Sequence, residues 1–307
     1  MAQPLTDADR VWRYRHAAQR LHDHLESKLD AVHGYPAQVT WGYAMSALLS
    51  IQVGQGRLTM LGQAALRQLA KQDGGDPNFS WEFVVMAIQK AKRRSEDAGI
   101  CWPCDAHRAK GTRMFNWFLL RQVNRFWFGC SPGWTLAKLA VGRRLYTQDD
   151  GFILDEFKTR SLQYHAFCLY LLCDLVEQHP DTDFLKDWLV QGVRFSLSKL
   201  LDDGAAMWIG RGQEQVFGYA ALIRATEFVH HRIERLPVDL LNRLQQRVLS
   251  FQRDDGSFPL VLRRREPEAP WPEQAPAVSG WYGYNTLADY LPFLGHAMWT
   301  ASEDCPR

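Results

Sequence analysis

The sequence lacks the features that would send a chain into a membrane, through an export channel or onto nucleic acid. No stretch of 18 uncharged apolar residues occurs, and the opening MAQPLTDADRVWRYRHAAQRLHDHLESKL is polar and amphipathic with no apolar core, so neither a span nor an export signal is expected. Six cysteines in 307 residues are too few for a disulfide scaffold. Cys168 and Cys173 sit in an apolar helical run where they would pack as small hydrophobes, and a reducing cytoplasm is the expected setting. Charge of one sign is scarce too: 36 Lys+Arg face 34 Asp+Glu, a net of +2, with nothing longer than short clusters such as Arg263-Arg264-Arg265. Binding to nucleic acid is therefore not expected. The phosphate loops GxGxxG and GxxxxGK[ST] are absent, and Gly210-Arg-Gly212 has no third glycine, so no nucleotide cofactor is expected, nor any other. Extended segments are few, limited to 205–209 and 257–262.

What the sequence does have is apolar mass, 46% of residues against 23% charged, and many rings: 12 Trp, 10 Tyr and 16 Phe. That suffices for a sizeable core. It also has a repeat. Asp149-Asp150-Gly151, Asp202-Asp203-Gly204 and Asp254-Asp255-Gly256 recur at offsets of 53 and 52 residues, and Gln72-Asp73-Gly74-Gly75 is a weaker copy. Each sits in the same order of elements: an amphipathic helix, the Asp-Asp-Gly break, a short apolar stretch and a nearly all-apolar helix. Glycine takes positive φ without a Cβ penalty and Asp favours turns, which suits a helix end.

The two helix types differ as helices with one wet face differ from helices buried all round. Segments 183–201 and 237–251 alternate apolar and charged positions, whereas 160–176 and 217–229 are apolar on every side. Helix pairs with a period near 52 residues close into an α/α toroid of about six hairpins, an all-α fold, and a period in this range signals a repeat architecture. The outer and inner pairs read as 8–31 with 39–53, 58–72 with 80–93, 132–146 with 160–177, 183–201 with 212–230, and 237–252 with 283–300. Helix 111–128 is left over, so the expectation is a single toroid domain over 1–307, irregular at 94–131. An open α-solenoid is the structural alternative.

In such a ring the loops leading into the inner helices, and their first turns, form the mouth of a cavity. The first strong repeat supplies Asp155, Glu156, Lys158, Arg160, Tyr164 and His165 there. The second supplies Trp208, Arg211, Gln213, Glu214 and Tyr219, and the third Trp281, Tyr282, Tyr284 and Asn285. Flat rings beside amides and charges are the mixture that binds sugars, and Arg160 or Arg211 suits a uronate carboxylate. The same positions also cap and pair structurally, and a His in an apolar helix is commonly a satisfied core residue.

DGFILDEF followed by QYH resembles the Asp-Gly-aromatic, Glu and Tyr segments of toroidal polysaccharide lyases of the heparinase and oligoalginate type. WIGRGQEQVFGYAALIRATEF is similar to the Trp and Arg-Gly-Gln segment of unsaturated glucuronyl hydrolases, and more loosely to the helical domain of uronyl epimerases. Each resemblance covers about thirty residues. The hydrolases carry a second Trp where this chain has Gln215, the spacing from Trp208 to Arg211 is one residue longer, and their catalytic Asp segment is not evident in the first half. The lyases usually add a β-sheet domain for which this chain has no room.

The resemblance implies an enzyme acting on a uronate-containing polysaccharide or oligosaccharide. For β-elimination the acid/base candidates are Tyr164 or His165, Tyr219 and Tyr284, with Arg160, Arg211 and Asn285 holding the carboxylate. Neighbours on a helix point about 100° apart, so at most one of Tyr164 and His165 reaches the same cavity. For hydrolysis two carboxylates are needed, and Asp155, Glu156 and Glu214 are the supply. Trp208, Gln213, Trp281 and Tyr282 complete the expected substrate contacts. A non-catalytic toroid binding a glycan or a protein in polysaccharide assembly is the competing reading. Nothing in the sequence sets the oligomeric state.

Cys101-Trp-Pro-Cys104 with His107 has the spacing of half a metal site, but no second pair completes four ligands, and an ordinary loop without metal is expected. Terpene cyclases have toroids with turns like Gln252 to Phe258, but their D-x-D-D motif is missing.

Overall fold

The structure, a computed structural model, describes residues 6–37, 39–72, 80–97, 99–103, 111–263 and 286–305. Among them lie α1 (Asp7–Lys28), α2 (Gly42–Val53), α3 (Met60–Leu69), α4 (Trp81–Arg94), α5 (Phe115–Trp127), α6 (Pro132–Tyr146), α7 (Leu162–Gln178), α8 (Asp183–Ser198), α9 (Val216–Arg232), α10 (Val238–Leu249) and α11 (Leu287–Glu303). The hydropathy pattern explains the division into two kinds. Every residue from His165 to Val176 of α7 is buried, whereas α10 buries Leu241, Leu244 and Val248 at helical spacing and exposes Asp239 and Gln246.

The inner helices are the staves of a closed ring. α2, α4, α5, α7, α9 and α11 each pack on the next, and α11 returns to α2. The remaining helices lie outside, each on the inner helix that precedes it around the ring: α3 on α2, α6 on α5, α8 on α7, α10 on α9 and α1 on α11. This is the α/α toroid that the repeat predicts, and the packing of α11 on α2 excludes the open solenoid. The segment 111–128, left over in the sequence pattern, supplies the sixth stave as α5. Its hairpin is the irregular one, because no helix separates α4 from α5 among the described residues.

The three Asp-Asp-Gly turns are copies of one device. Gly151, Gly204 and Gly256 have φ of +90°, +80° and +85°, a region closed to most side chains. A Cβ on each would fall 2.7, 2.5 or 2.3 Å from the carbonyl oxygen of Gln191, Arg243 or Arg20, on α8, α10 and α1. The glycine thus lets each turn press against the backbone of the next outer helix, and the third contact closes the ring onto α1. The preceding aspartate stiffens the turn: Asp150, Asp203 and Asp255 each accept the N–H two residues on, from Phe152, Ala205 and Ser257, at 3.0 Å. Of the segments expected to be extended, 257–262 runs beside the entry to α9, where Val216 N–H donates to Leu260 O and Leu262 N–H to Glu214 O. No strand longer than an isolated bridge forms among the described residues.

The ring axis is filled rather than open. Trp41, at the cap of α2, and Phe83, Phe167, Phe217, Tyr290 and Phe293, from four further staves, interlock with ring centroids 4.9–6.1 Å apart. Trp117 on α5 joins them against Phe83 at 5.4 Å. Such offset and edge-on pairs add attraction beyond the burial of area. The plug separates a face where the staves begin from one where they end.

Candidate functional site

On the first face the loop before α7 and the loop before α9 meet over the start of α5. Phe115 N–H donates to Asp155 O at 2.7 Å, which ties the acidic loop to α5. The Asp155 carboxylate, with no exposed surface, accepts from Asn116 Nδ2 and Arg211 Nη2. The Arg211 guanidinium also lies 4.7 Å from the centre of the Tyr164 ring, a cation–π contact. Its backbone is held by two left-handed glycines. Gly210 (φ +84°) lies against the Arg160 carbonyl, and Gly212 (φ +69°) lies on the Gln163 amide, where a Cβ would fall 2.1 Å from Nε2. Ser161 Oγ donates to Arg211 O at 3.1 Å and Leu162 N–H to Ile209 O at 3.1 Å. Gly-Arg-Gly is therefore a strap over the first turn of α7 that aims one cation at one carboxylate.

Burial holds the Asp155 pKa above the ordinary carboxylate range, against the pull of Arg211 and then Asn116, with Glu156 pushing the same way as burial. Gln163, under Gly212, is 1% exposed, with neither amide atom hydrogen-bonded among the described residues. Glu156 is half-buried and accepts from Thr159 Oγ1 at 3.4 Å.

The other expected site residues fall elsewhere. His165 is sealed in the wall: Ile153 N–H donates to its Nδ1 at 2.9 Å, leaving the proton on Nε2 to face Ser196 Oγ (3.0 Å) and Gly192 O (3.2 Å). Burial lowers its pKa to about 4. Tyr219 occupies the matching place one repeat on. Its hydroxyl accepts from Ala206 N–H at 3.1 Å and donates to Glu214 Oε2 at 2.6 Å, with no exposed surface. Ile153 and Ala206 both stand two residues after the turn glycine, so the two side chains answer the same buried N–H. His165 and Tyr219 thus do the same work in the fold, each satisfying a loop N–H.

Glu214 is a hub of the same kind. Held at φ +58°, it also accepts from Met207 N–H (2.9 Å) and Arg247 (3.2 Å). Arg160 points outward to Gln148 and Asp150. Gln213 accepts from Arg263 at 2.8 Å. Trp208 is 41% exposed with its indole N–H donated to Lys199 O at 3.0 Å, over the end of α8. Trp281, Tyr282, Tyr284 and Asn285 lie outside the described residues, as do Cys104 and His107; Cys101 is an exposed thiol. Asn116 is the partner that sequence reasoning missed, because its helix lacked a place in the repeat.

One cluster has the composition of a metal site: Asp7, His230 and His231. The donor set does not suit a cation. Asp7 is held by Arg10 and Arg235, both at 2.9 Å, and His230 Nδ1 accepts from Leu236 N–H at 3.0 Å, which leaves the proton on the nitrogen facing Asp7. The group is an ion-pair network tying α1 to α9.

No protein-family model and no curated protein matches the sequence. Solved structures do match its fold. They include a glycosyl hydrolase family 88 protein from Bacteroides vulgatus (10% identity, 94% of this chain and 98% of that one, TM-score 0.61). A polysaccharide lyase matches at 11% identity, 94% and 96% coverage and TM-score 0.60. An inactive variant of the α-1,6-mannanase GH76A of Salegentibacter sp., in complex with α-1,6-mannotriose, matches at 11%, 94% and 99%, and 0.64. At these identities the likeness speaks for architecture. The chain has the α/α-toroid fold of these glycoside hydrolases and this polysaccharide lyase along nearly its whole length.

Proposed function

We propose that the chain is a carbohydrate-active enzyme that cleaves a glycosidic bond at the face where the inner helices begin, with Asp155 as the proton donor. The observation that carries this reading is a buried carboxylic acid, its pKa raised, set between an amide and a guanidinium where the loops before α7 and α9 meet. An acid that holds its proton to higher pH than an ordinary carboxyl can give it to the leaving oxygen as the C–O bond breaks. Hydrolysis needs a second carboxylate to take the proton of the attacking water or to attack in its place, and Glu156 is adjacent. The mannotriose-bound mannanase variant is inactive with two consecutive aspartates replaced by asparagine, and Asp155-Glu156 is a consecutive acid pair in a loop of the same kind of ring. Arg211 and Tyr164 supply a charge and a flat ring for a sugar, and the Arg favours a uronate.

A second reading, β-elimination, is favoured by the stacking of Arg211 on Tyr164. There Arg211 neutralises the uronate carboxylate, while Tyr164 takes the C5 proton and returns one to the leaving oxygen, creating a C4–C5 double bond.

Purified protein incubated with uronate polymers, unsaturated uronyl oligomers and α-linked mannan separates these readings. New reducing ends without a rise in ultraviolet absorbance mean hydrolysis, a fall means attack on unsaturated uronyl ends, and a rise means elimination. Asp155→Asn is expected to lower hydrolysis by roughly 10²–10⁴, and Tyr164→Phe to abolish only elimination. Full activity in Asp155→Asn, or glycan binding without turnover, overturns the hydrolytic reading.

A further inference from the structure

The face where the staves end carries a second constellation, unused by the chemistry above. Directly beneath the aromatic plug, the Tyr170 hydroxyl lies 2.8 Å from both Lys90 Nζ and His296 Nε2. Lys90 pairs with Asp174 at 2.6 Å. His296 Nδ1 lies 2.8 Å from Gln52 Oε1, and Gln52 donates to Thr300 Oγ1 at 2.9 Å. Arg224, 2% exposed, is held by Asp304 and by Glu177 at 3.0 Å. Taking such charges out of water is costly before pairing, and the plug one layer above shows that apolar side chains fill this axis.

A cavity of about 370 Å³ opens on this network, its wall including Lys90, Arg93, Trp127, Gln178, Arg224 and His296. That volume is at the small end for ligand cavities. Its charges do not cancel. Asp174 is answered by Lys90, Glu177 and Asp304 by Arg224 and Arg232, and Glu303 by Arg94. Arg93 meets the face of Trp127 at 4.8 Å and no carboxylate among the described residues. Two wall residues also carry a buried polar atom with no hydrogen-bond partner among the described residues: the Trp127 indole N–H, a donor, and Gln178 Oε1, an acceptor. The site thus offers one uncompensated cation, one free donor and one free acceptor.

We propose that this cavity is a second binding site, for a small hydroxylated anion such as a sugar carboxylate or sugar phosphate. Arg93 takes the anionic group, while Trp127 Nε1 and Gln178 Oε1 pair with hydroxyls. The site is independent of the cleavage site on the other side of the plug.

Calorimetric titration of the full chain with glucuronate, glucose 6-phosphate, glucose and inorganic phosphate tests it. The two sugar anions are expected to bind, with glucose and phosphate at least tenfold weaker. A charge-assisted contact accounts for roughly a tenfold to hundredfold share of affinity, so Arg93→Gln is expected to weaken the sugar anions by that factor. Arg93 is exposed, so this variant keeps its fold even where Trp127→Phe does not, and the melting curve checks both. Glucose 6-phosphate carries no uronate carboxylate for the cleavage site, and its titration is expected to be the same in Asp155→Asn as in the wild type, so failure of the cleavage reading and failure of this one are separable. Glucose binding as tightly as glucuronate, phosphate as tightly as glucose 6-phosphate, unaltered affinity in Arg93→Gln, or loss of glucose 6-phosphate binding in Asp155→Asn overturns the proposal.

Discussion

Asp289, in the first turn of the last helix, caps the first inner helix: its Oδ1 accepts N–H bonds from Trp41 at 2.9 Å and Gly42 at 2.7 Å, and from Thr40 at 3.0 Å. The N-cap residue Trp41 makes no side-chain cap of its own, so α2 begins properly only when the ring is closed. Gly42 is part of the same joint, since a Cβ there would fall 1.9 Å from Ala288 O. That carbonyl belongs to the residue four before Pro292, which has no N–H to offer it.

Asp289→Ala strands three backbone donors at the head of a buried helix. It is expected to cost roughly 2–4 kcal/mol, above the usual loss of a cap because more than one donor is orphaned. Asp289→Asn keeps an acceptor and loses less. Urea unfolding of the two variants is the measurement, and equal losses would show that the charge, not the acceptor, holds the joint.

The turn glycines make a ranked series. Gly256→Ala, Gly204→Ala and Gly151→Ala combine a left-handed φ with a collision against helix backbone and are expected to cost roughly 3 kcal/mol or more. Gly256 stands worst, since its contact is shortest. Gly129 has φ +67° but nothing within 4 Å of a Cβ, so Gly129→Ala measures the conformational cost alone, roughly 1–2 kcal/mol. Thermal melts that place Gly129→Ala level with the other three would refute the role of the helix contact.

His165 gives the fold a pH dependence of definite sign. Its folded pKa, lowered to about 4, lies below the unfolded value near 6.5. Between the two the unfolded chain binds the extra proton. Stability from this group is therefore complete above about pH 6.5 and is lost as pH falls toward 4, by roughly 3 kcal/mol. Denaturant titrations from pH 7 to pH 4 are expected to show a steeper loss in the wild type than in His165→Gln. Parallel curves would refute it.

Tyr219→Phe removes the donor to Glu214 Oε2 and the acceptor for Ala206 N–H. The expected result is a stability loss of roughly 1–3 kcal/mol with turnover retained. An inactive but folded Tyr219→Phe would return this residue to the chemistry. Arg211→Met is the complement: it leaves a buried Asp155 without its cation, at roughly 3–5 kcal/mol. The remaining carboxyl keeps its proton to higher pH, so the loss is smaller at pH 5 than at pH 8.

The sequence by itself determined the repeat and its direct consequences. Helical spacing of apolar residues separates wet helices from dry ones, and Asp-Asp-Gly at 52 or 53 residues marks where each hairpin breaks, because both arise from local geometry. The loops leading into the inner helices, with Asp155 in one and Arg211 in the next, were legible on that basis. Tertiary structure alone decided the rest. Whether His165 and Tyr219 face a cavity or a loop N–H depends on what packs against them from another hairpin, and periodicity carries no such information. Asn116 and α5 found their places only when the ring closed, and the charged cavity of Lys90, Arg93 and Trp127 joins residues from different staves. Long-range packing chooses those neighbours, since each stave has two ends and a sequence pattern of one period describes both alike.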